Sequence, residues 1–347
     1  MFNDLMDTLS KQLWLKSIWL FVFLFEQSAA LNICPMSNWS INATTVAGSP
    51  TGISGSNASL LSTPSDVFIG NNSMIYVLDS SNFRVQLWLR NAVVGTTIIQ
   101  GSAGSALNQF GLMAQMSIDI NGNIYILDSN NTRVTKWVPG AGTSSIVAAG
   151  NGKGSNANQI NGAVGMYVQT STSIIWIADT GNNRIVKWSS PSTSTIVCGT
   201  YGSGATQFSS PTGIFIDEND QNTMYVADTG NQRIQQWRSG DTSGTTVAGL
   251  NQLFLPSRVI VDINKNMFIV DTGNSRVVRW TIGSSSGTVI AGNSVEGILP
   301  NQLNFPTVST TTTTSTSFVQ SSTSNAAVIG SFYQKSFAML LLALIIY

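Results

Sequence analysis

Between residues 40 and 320 apolar positions alternate with polar ones in short runs, and no helical period is visible. The runs recur as a set. Five segments stand out: IYVLDSSNFRVQLW (75–88), IYILDSNNTRVTKW (124–137), IWIADTGNNRIVKW (175–188), MYVADTGNQRIQQW (224–237) and MFIVDTGNSRVVRW (267–280). Each joins an apolar stretch ending in aspartate to a polar turn and then an arginine-led stretch ending in tryptophan. Alternation over four to eight residues, bounded by turn residues, reads as strands. A further strand precedes each segment after a proline or glycine turn, as in PTGIFID (211–217) and PSRVIVD (256–262), and tight turns such as Asn121-Gly122-Asn123 join the two. A fourth follows, at 97–100, 145–149, 195–199, 245–249 and 288–292.

Trp88, Trp137, Trp188, Trp237 and Trp280 stand 49, 51, 49 and 43 residues apart. That repeat is too long for helical arrays or leucine-rich units and fits a four-stranded propeller blade. The chain is predicted to be all-β. Blade number turns on Trp39, one repeat before Trp88 and followed by a fourth-strand sequence, Thr44 to Gly48. Its first two strands have no room upstream, so residues 307–312 and 317–321 are expected to supply them. Both termini would then share one composite blade, closing a six-bladed ring and hydrogen-bonding its open edges. The alternative is a five-bladed ring, with the threonine run Thr310 to Thr314 forming an O-glycosylated stalk.

The D-T-G-N-x-R-[IV]-x-x-W unit is intact around Asp179, Asp228 and Asp271, and it resembles the NHL-repeat propeller family. The first two repeats depart from it, with serine and asparagine after Asp79 and Asp128. The resemblance covers residues 40–300. It implies a propeller, and a family that includes RNA-binding, lyase and extracellular sensor or adhesion members, so it specifies fold far better than activity.

A residue repeated around a ring is expected to be architectural. The aspartates Asp79, Asp128, Asp179, Asp228 and Asp271 are expected to accept backbone N–H groups of the turns that follow them, and the nearby asparagines to adopt left-handed conformations. Arg84, Arg133, Arg184, Arg233 and Arg276 are expected to pair with an aspartate of the same or the adjacent blade. The tryptophans, Trp39 among them, should fill space between blades, and Gln109, Gln159, Gln207, Gln252 and Gln302 mark the turns leading into the next blade.

Composition narrows the chemistry. The 347 residues hold 16 basic and 16 acidic side chains and no histidine, so histidine-based triads and histidine-ligated zinc are excluded. Charged residues are 9% of the chain, and the charges balance. Without a basic face no nucleic-acid partner is expected. Outside the repeats and the leader eight acids remain: Asp66, Asp119, Asp217, Glu218, Asp220, Asp241, Asp262 and Glu296. Only Asp66 and Glu296 lie where they would ring a central channel, too few for a calcium or catalytic site. No catalytic residue, metal or cofactor is expected, and the chain reads as a non-enzyme. The alternative is a propeller enzyme of lactonase or lyase type working in the channel.

The ends read as processing signals. Lys11 and Lys16 precede the apolar run 18–25, and Ser28, Ala29 and Ala30 suit cleavage of a signal peptide over residues 1–30. The propeller is then expected over 31–321. Residues 322–347 have the layout of a glycolipid-attachment signal, with small residues at Asn325-Ala326-Ala327, a spacer, and the apolar tail FAMLLLALIIY. Asn325 is the expected ω residue, with Ser324 next. Sequons at Asn38, Asn42, Asn57, Asn71 and Asn130 suit N-glycosylation in the secretory pathway. Cys34 and Cys198 are too few for a disulfide framework. Together these features lead to the expectation of a binding module at the cell surface, membrane-associated through its lipid alone, that recognises a protein or glycan on a loop face.

Overall fold

A computed structural model describes residues 38–39, 44–50, 52–70, 74–249, 251–296, 302–303, 306–308, 319–320, 326–333 and 341–345. Five antiparallel four-stranded sheets follow one another along the chain. The first blade consists of Pro64–Ile69, Ile75–Asp79, Arg84–Trp88 and Thr96–Gln100. The third consists of Gly165–Val168, Ile175–Asp179, Arg184–Ser190 and Thr193–Cys198. Blades two, four and five begin at Met113–Ile118, Pro211–Asp217 and Pro256–Val261 and repeat the order. First strands neighbour each other in turn, which makes a β-propeller.

The second strands lie deepest, and Ile124–Asp128, Thr223–Asp228 and Asn266–Asp271 are buried at every residue. Burial on both faces follows from stacking blade against blade. Each tryptophan lies between its own blade and the preceding one. Trp188 packs with Tyr125, Leu127 and Val134 of blade two and with Met166 and Ile177 of its own. A linker residue wedges into each seam beside it, namely Leu61, Phe110, Ile160, Phe208 and Leu253.

The indole N–H groups are satisfied locally where the sequence allows. Trp88, Trp137 and Trp237 donate to the side chain two residues back, Gln86, Thr135 and Gln235. At Trp188 that residue is Val186, and the buried Nε1 has no partner. Val186→Thr is nearly isosteric and supplies the acceptor Thr135 provides in blade two. A buried unsatisfied donor costs about 1–3 kcal/mol, so a gain of about 1 kcal/mol is expected in urea unfolding. A loss would show that the added hydroxyl stays unpaired.

The expected six blades are corrected to five four-stranded ones, as the alternative held. A sixth sheet stands between blades five and one, but it is not the composite blade expected from 307–312 and 317–321. It has six strands, in the order Asn38–Trp39, Ala326–Tyr333, Leu341–Ile345, Thr307–Val308, with Thr44–Gly48 and Val319–Gln320 also paired to Ala326–Tyr333. The physical reason lies in the tail. Its β-branched and apolar residues offer strand partners that an attachment-signal reading sets aside.

First strands meet around the axis through one recurring position, occupied by Asp66, Gln115, Gly165, Gly213 and Arg258. Asp66 accepts the Met116 N–H of blade two at 2.8 Å, and Gln115 accepts that of Met166 at 2.6 Å. Arg258 reaches backward, donating to the Thr212 carbonyl at 2.7 Å and the Val164 carbonyl at 3.1 Å. Strand edges facing the axis are thereby satisfied by side chains of neighbouring blades. At Gly165 the next blade's backbone comes so close that a Cβ would collide with the Thr212 carbonyl. Gly165→Ala is expected to cost about 1–3 kcal/mol through overpacking against backbone that cannot yield. An unchanged thermal melt would mean that blades three and four can part without penalty.

Candidate functional site

Register places two different loop sets at the two ends of the ring. Asp79 pairs with Arg84 and with Pro64, so the aspartate turns and the linkers leading into first strands share one end. First-to-second hairpins lie at the other.

The linker end is built around the repeated acid. Each aspartate is fully buried and holds its linker by a backbone N–H 17–19 residues upstream. Asp79 accepts from Ser62 (2.7 Å), Asp128 from Gly111 (2.9 Å), Asp179 from Asn161, Asp228 from Ser209 and Asp271 from Phe254 (each 2.7 Å). The other carboxylate oxygen takes the arginine Nε of the same blade, at 2.6–2.8 Å in four blades and 3.3 Å at Arg133. The guanidinium then donates onward to linker carbonyls. Arg184 reaches Ser155 (2.5 Å), Asn156 (2.7 Å) and Gln159 (3.0 Å), and Arg84 reaches Ser56, Asn57 and Leu60. Arg133 repeats the pattern in blade two, while Arg233 holds Gly204 and Gln207, and Arg276 holds Gln252.

Two details differ from the sequence reading. The aspartate takes a backbone N–H of the upstream linker, and at the four 3-10 turns it accepts the asparagine side-chain amide rather than the expected backbone N–H groups of its own turn. The left-handed residue is also not the asparagine three positions after the aspartate but the one after that: Phe83, Thr132, Asn183, Gln232 and Ser275, with φ between 47° and 56°. The preceding asparagine is in a short 3-10 turn at four of the five sites, and its amide donates to the carboxylate. Burial pushes the carboxyls of Asp79, Asp128 and Asp228 up, prevailing over these hydrogen bonds.

The hairpin end is tied across blades by residues that a repeat-based reading passes over. Glu218 accepts from the Tyr167 hydroxyl (3.0 Å), the Thr170 amide and hydroxyl (2.8 and 2.9 Å) and the Ser171 amide and hydroxyl (3.2 and 2.8 Å), joining blade four to blade three. Burial and then this carboxylate push the Tyr167 phenol well up. Lys265 of blade five donates to Asp217 (2.7 Å) and Asp220 (2.8 Å) of blade four. Burial works against the Lys265 cation, but the two carboxylates outweigh it and its pKa goes up. Only the offset to the neighbouring hairpin could have flagged these residues. Asp119 and Asp262 cap their own hairpins, accepting the N–H groups of Asn123 and Asn266.

Asn57 and Asn130 are exposed at the linker end, and the Asn57 side-chain oxygen accepts from the amide and hydroxyl of Ser59. Asn42, Asn71, Ser324, Asn325, Cys34 and the leader 1–30 lie outside the described residues, as do the side chains of Asn38 and Trp39. Cys198 is free, and burial pushes its thiol up to about 12, which leaves it little thiolate. Among the described residues no three metal-ligating side chains cluster. None of the described helices is long and apolar enough to cross a membrane. Leu107, Leu112, Tyr201, Phe254 and Leu255 stand exposed among the linkers.

No family model matches the chain, and no curated protein matches it. Solved structures do. A chain of a nidogen–laminin complex aligns with a TM-score of 0.52 and 14% identity, over 66% of this chain and 80% of its own. Virginiamycin B lyase from Staphylococcus aureus aligns with a TM-score of 0.50 and 10% identity, over 89% of each chain. A streptogramin B lyase structure aligns at 0.48 and 13% identity, over 81% of this chain and 78% of its own. At such identities the likeness shows the propeller fold. It also corrects the reading of the chain as a non-enzyme, because a lyase stands among the proteins sharing the architecture. The missing histidines remove particular mechanisms and leave catalysis as such open.

Proposed function

We propose that the chain is an NHL-like propeller of the secretory pathway whose linker end binds a protein ligand. One observation carries the reading. Buried aspartate–arginine clips fasten linkers of all five blades to the sheets, so side chains such as Tyr201, Phe254 and Leu112 are presented on a fixed frame. Rigid loops at the end of a ring bind at low cost in ordering entropy. The presence of a nidogen–laminin complex chain among similar structures fits this use of the fold.

The leader, the sequons and the apolar tail support an extracellular address, with the glycolipid at Asn325 as the proposed anchor and glycans at the five sequons. Release of the full-length protein from cells by phosphatidylinositol-specific phospholipase C would test that address. The ring itself is proposed to have a sixth position. Thr180, Thr229 and Thr272 donate to the carbonyls of Pro211, Pro256 and Pro306, each Pro211 or Pro256 opening the next blade, which marks Pro306 as the start of another. Leu303 is fully buried, like the wedge residues of the other linkers.

Binding is tested with the soluble ectodomain on protein and glycan arrays, beside a variant carrying Tyr201→Ala and Phe254→Ala. The parent is expected to capture a protein that the variant loses at least tenfold, a difference of about 1.4 kcal/mol. Capture no stronger than that of an unrelated propeller would overturn the reading, and capture of a glycan alone would redirect it.

A further inference from the structure

The linker into blade one is laid along its third strand. Arg84, which opens that strand, holds the Asn57 carbonyl at 3.0 Å. Gly95, at the end of the hairpin beyond the same strand, donates its N–H to the next carbonyl, that of Ala58, at 2.7 Å. Blades two, three and four repeat this double grip. Arg133 holds Ala106 while Ser144 holds Leu107, Arg184 holds Asn156 while Ser194 holds Ala157, and Arg233 holds Gly204 while Gly244 holds Ala205.

Blade one departs from this shared frame twice, on the two chain segments that meet at that bond. The residues before Gly95 are Val93 and Val94, 83% and 53% exposed. The other hairpins carry Gly142-Thr143, Ser192-Thr193, Thr242-Ser243 and Ser285-Ser286 there. The residue before Ala58 is Asn57, the acceptor of a sequon, where the linkers of blades two to four carry Ala106, Asn156 and Gly204, none of them in a sequon. Asn57 and Val94 each stand one residue, about 3.8 Å of chain, from the bonded pair. Exposed apolar side chains grouped on a tip are an aggregation liability, and the other four blades avoid it. The Asn57 amide is already oriented. Its Oδ1 accepts from the Ser59 amide and hydroxyl at 3.0 Å each, which leaves Nδ2, the atom that bears an N-linked sugar, on the other side of the group. N-acetylglucosamine has C–H faces and an acetyl methyl that lie well on aliphatic side chains while its hydroxyls stay in water.

We propose that the N-linked sugar at Asn57 lies over the Val93–Val94 tip and is the cover of that tip. The apolar pair and the sequon are then one device, a sugar-capped knuckle on blade one that the other blades replace with glycine, serine and threonine. This inference rests on the secretory address proposed above, because only there does Asn57 gain its sugar.

The test uses the full chain made in eukaryotic cells, with sugar occupancy read by peptide mass spectrometry. Asn57→Gln and Ser59→Ala remove the sugar in two ways, and each is expected to aggregate on the order of tenfold faster than the parent. Adding Val93→Thr and Val94→Ser, the pair blade four carries, is expected to restore the parent rate. Asn130→Gln removes a sugar from the aspartate turn of blade two and is expected to leave the rate unchanged. Equal acceleration by Asn130→Gln, no acceleration in either Asn57-site variant, or no rescue by the threonine–serine pair would overturn the cover. So would a bare Asn57 in a chain that carries sugar at its other sequons, and the secretory address would then stand. A chain with no sugar at any sequon would overturn both. Should the sugar be needed during folding, its enzymatic release from the folded parent gives a second readout. Faster aggregation is expected after release in the parent but not in the Val93→Thr, Val94→Ser chain, and equal rates count against the proposal.

Discussion

Replacing Trp188 by alanine is expected to destabilise the propeller by about 3–5 kcal/mol, the range for truncating a large buried aromatic. Its indole is 1% exposed and fills the seam between blades two and three, touching apolar side chains of both. Neighbouring sheets cannot close the void without moving as units, so relaxation recovers little. The orphan Nε1 sharpens the expectation. Removing Trp188 also removes an unsatisfied donor, whereas Trp137→Ala leaves the Thr135 hydroxyl without its partner. Trp137→Ala should therefore cost the more of the two by about 1 kcal/mol. Urea unfolding of both variants checks this. A loss under about 1 kcal/mol at Trp188 would mean the seam is held by something other than packing.

Asp179→Ala is expected to cost a similar amount, about 3–5 kcal/mol, because breaking a buried pair leaves the other charge behind. Arg184 would keep its bonds to the Ser155, Asn156 and Gln159 carbonyls but lose its counter-charge, and the Asn161 N–H would lose its acceptor. The linker into blade three should loosen before the sheets do. Hydrogen exchange at residues 153–161 should then accelerate beyond what the global loss explains, which distinguishes a clip from a packing residue. Arg184→Lys should not preserve the site, since an ammonium cannot span the carboxylate and three carbonyls as a guanidinium does. A melt within about two degrees of the parent would sink the idea, given a shift of about 2–4 °C per kcal/mol for a domain of this size.

Strand positions and seam-filling tryptophans were legible because side-chain identity encodes them: aspartate closes the second strand, arginine opens the third and tryptophan ends it. The grip on the linkers was not, because its acceptors are backbone carbonyls 24–29 residues upstream, and carbonyls carry no identity in a sequence. Nothing in the segment DENDQ shows that the partners of Glu218 lie in the preceding blade. Blade number was misjudged at the closing sheet, where the segments 326–333 and 341–345 satisfy both a processing-signal pattern and a strand pattern. Exposed linker residues such as Tyr201 could not be picked out by period, because they are the positions at which the repeats differ.

The single inner-strand position held by Asp66, Gln115, Gly165, Gly213 and Arg258 has a consequence for how such a ring can be built. Two side chains reach forward, two positions need the absence of a side chain, and one reaches back across the space those glycines leave. Each blade is thereby addressed to its neighbours, although the five look interchangeable along the rest of their length. Exchanging blade three with blade five would set Arg258 against the wrong partners and place a glycine where a guanidinium is needed. Starting the chain at a different blade while keeping the cyclic order would disturb none of these pairings. The ring is thus a sentence that tolerates a new first word but not a new word order, and duplicating a blade to widen it would fail at this position before it failed at any other.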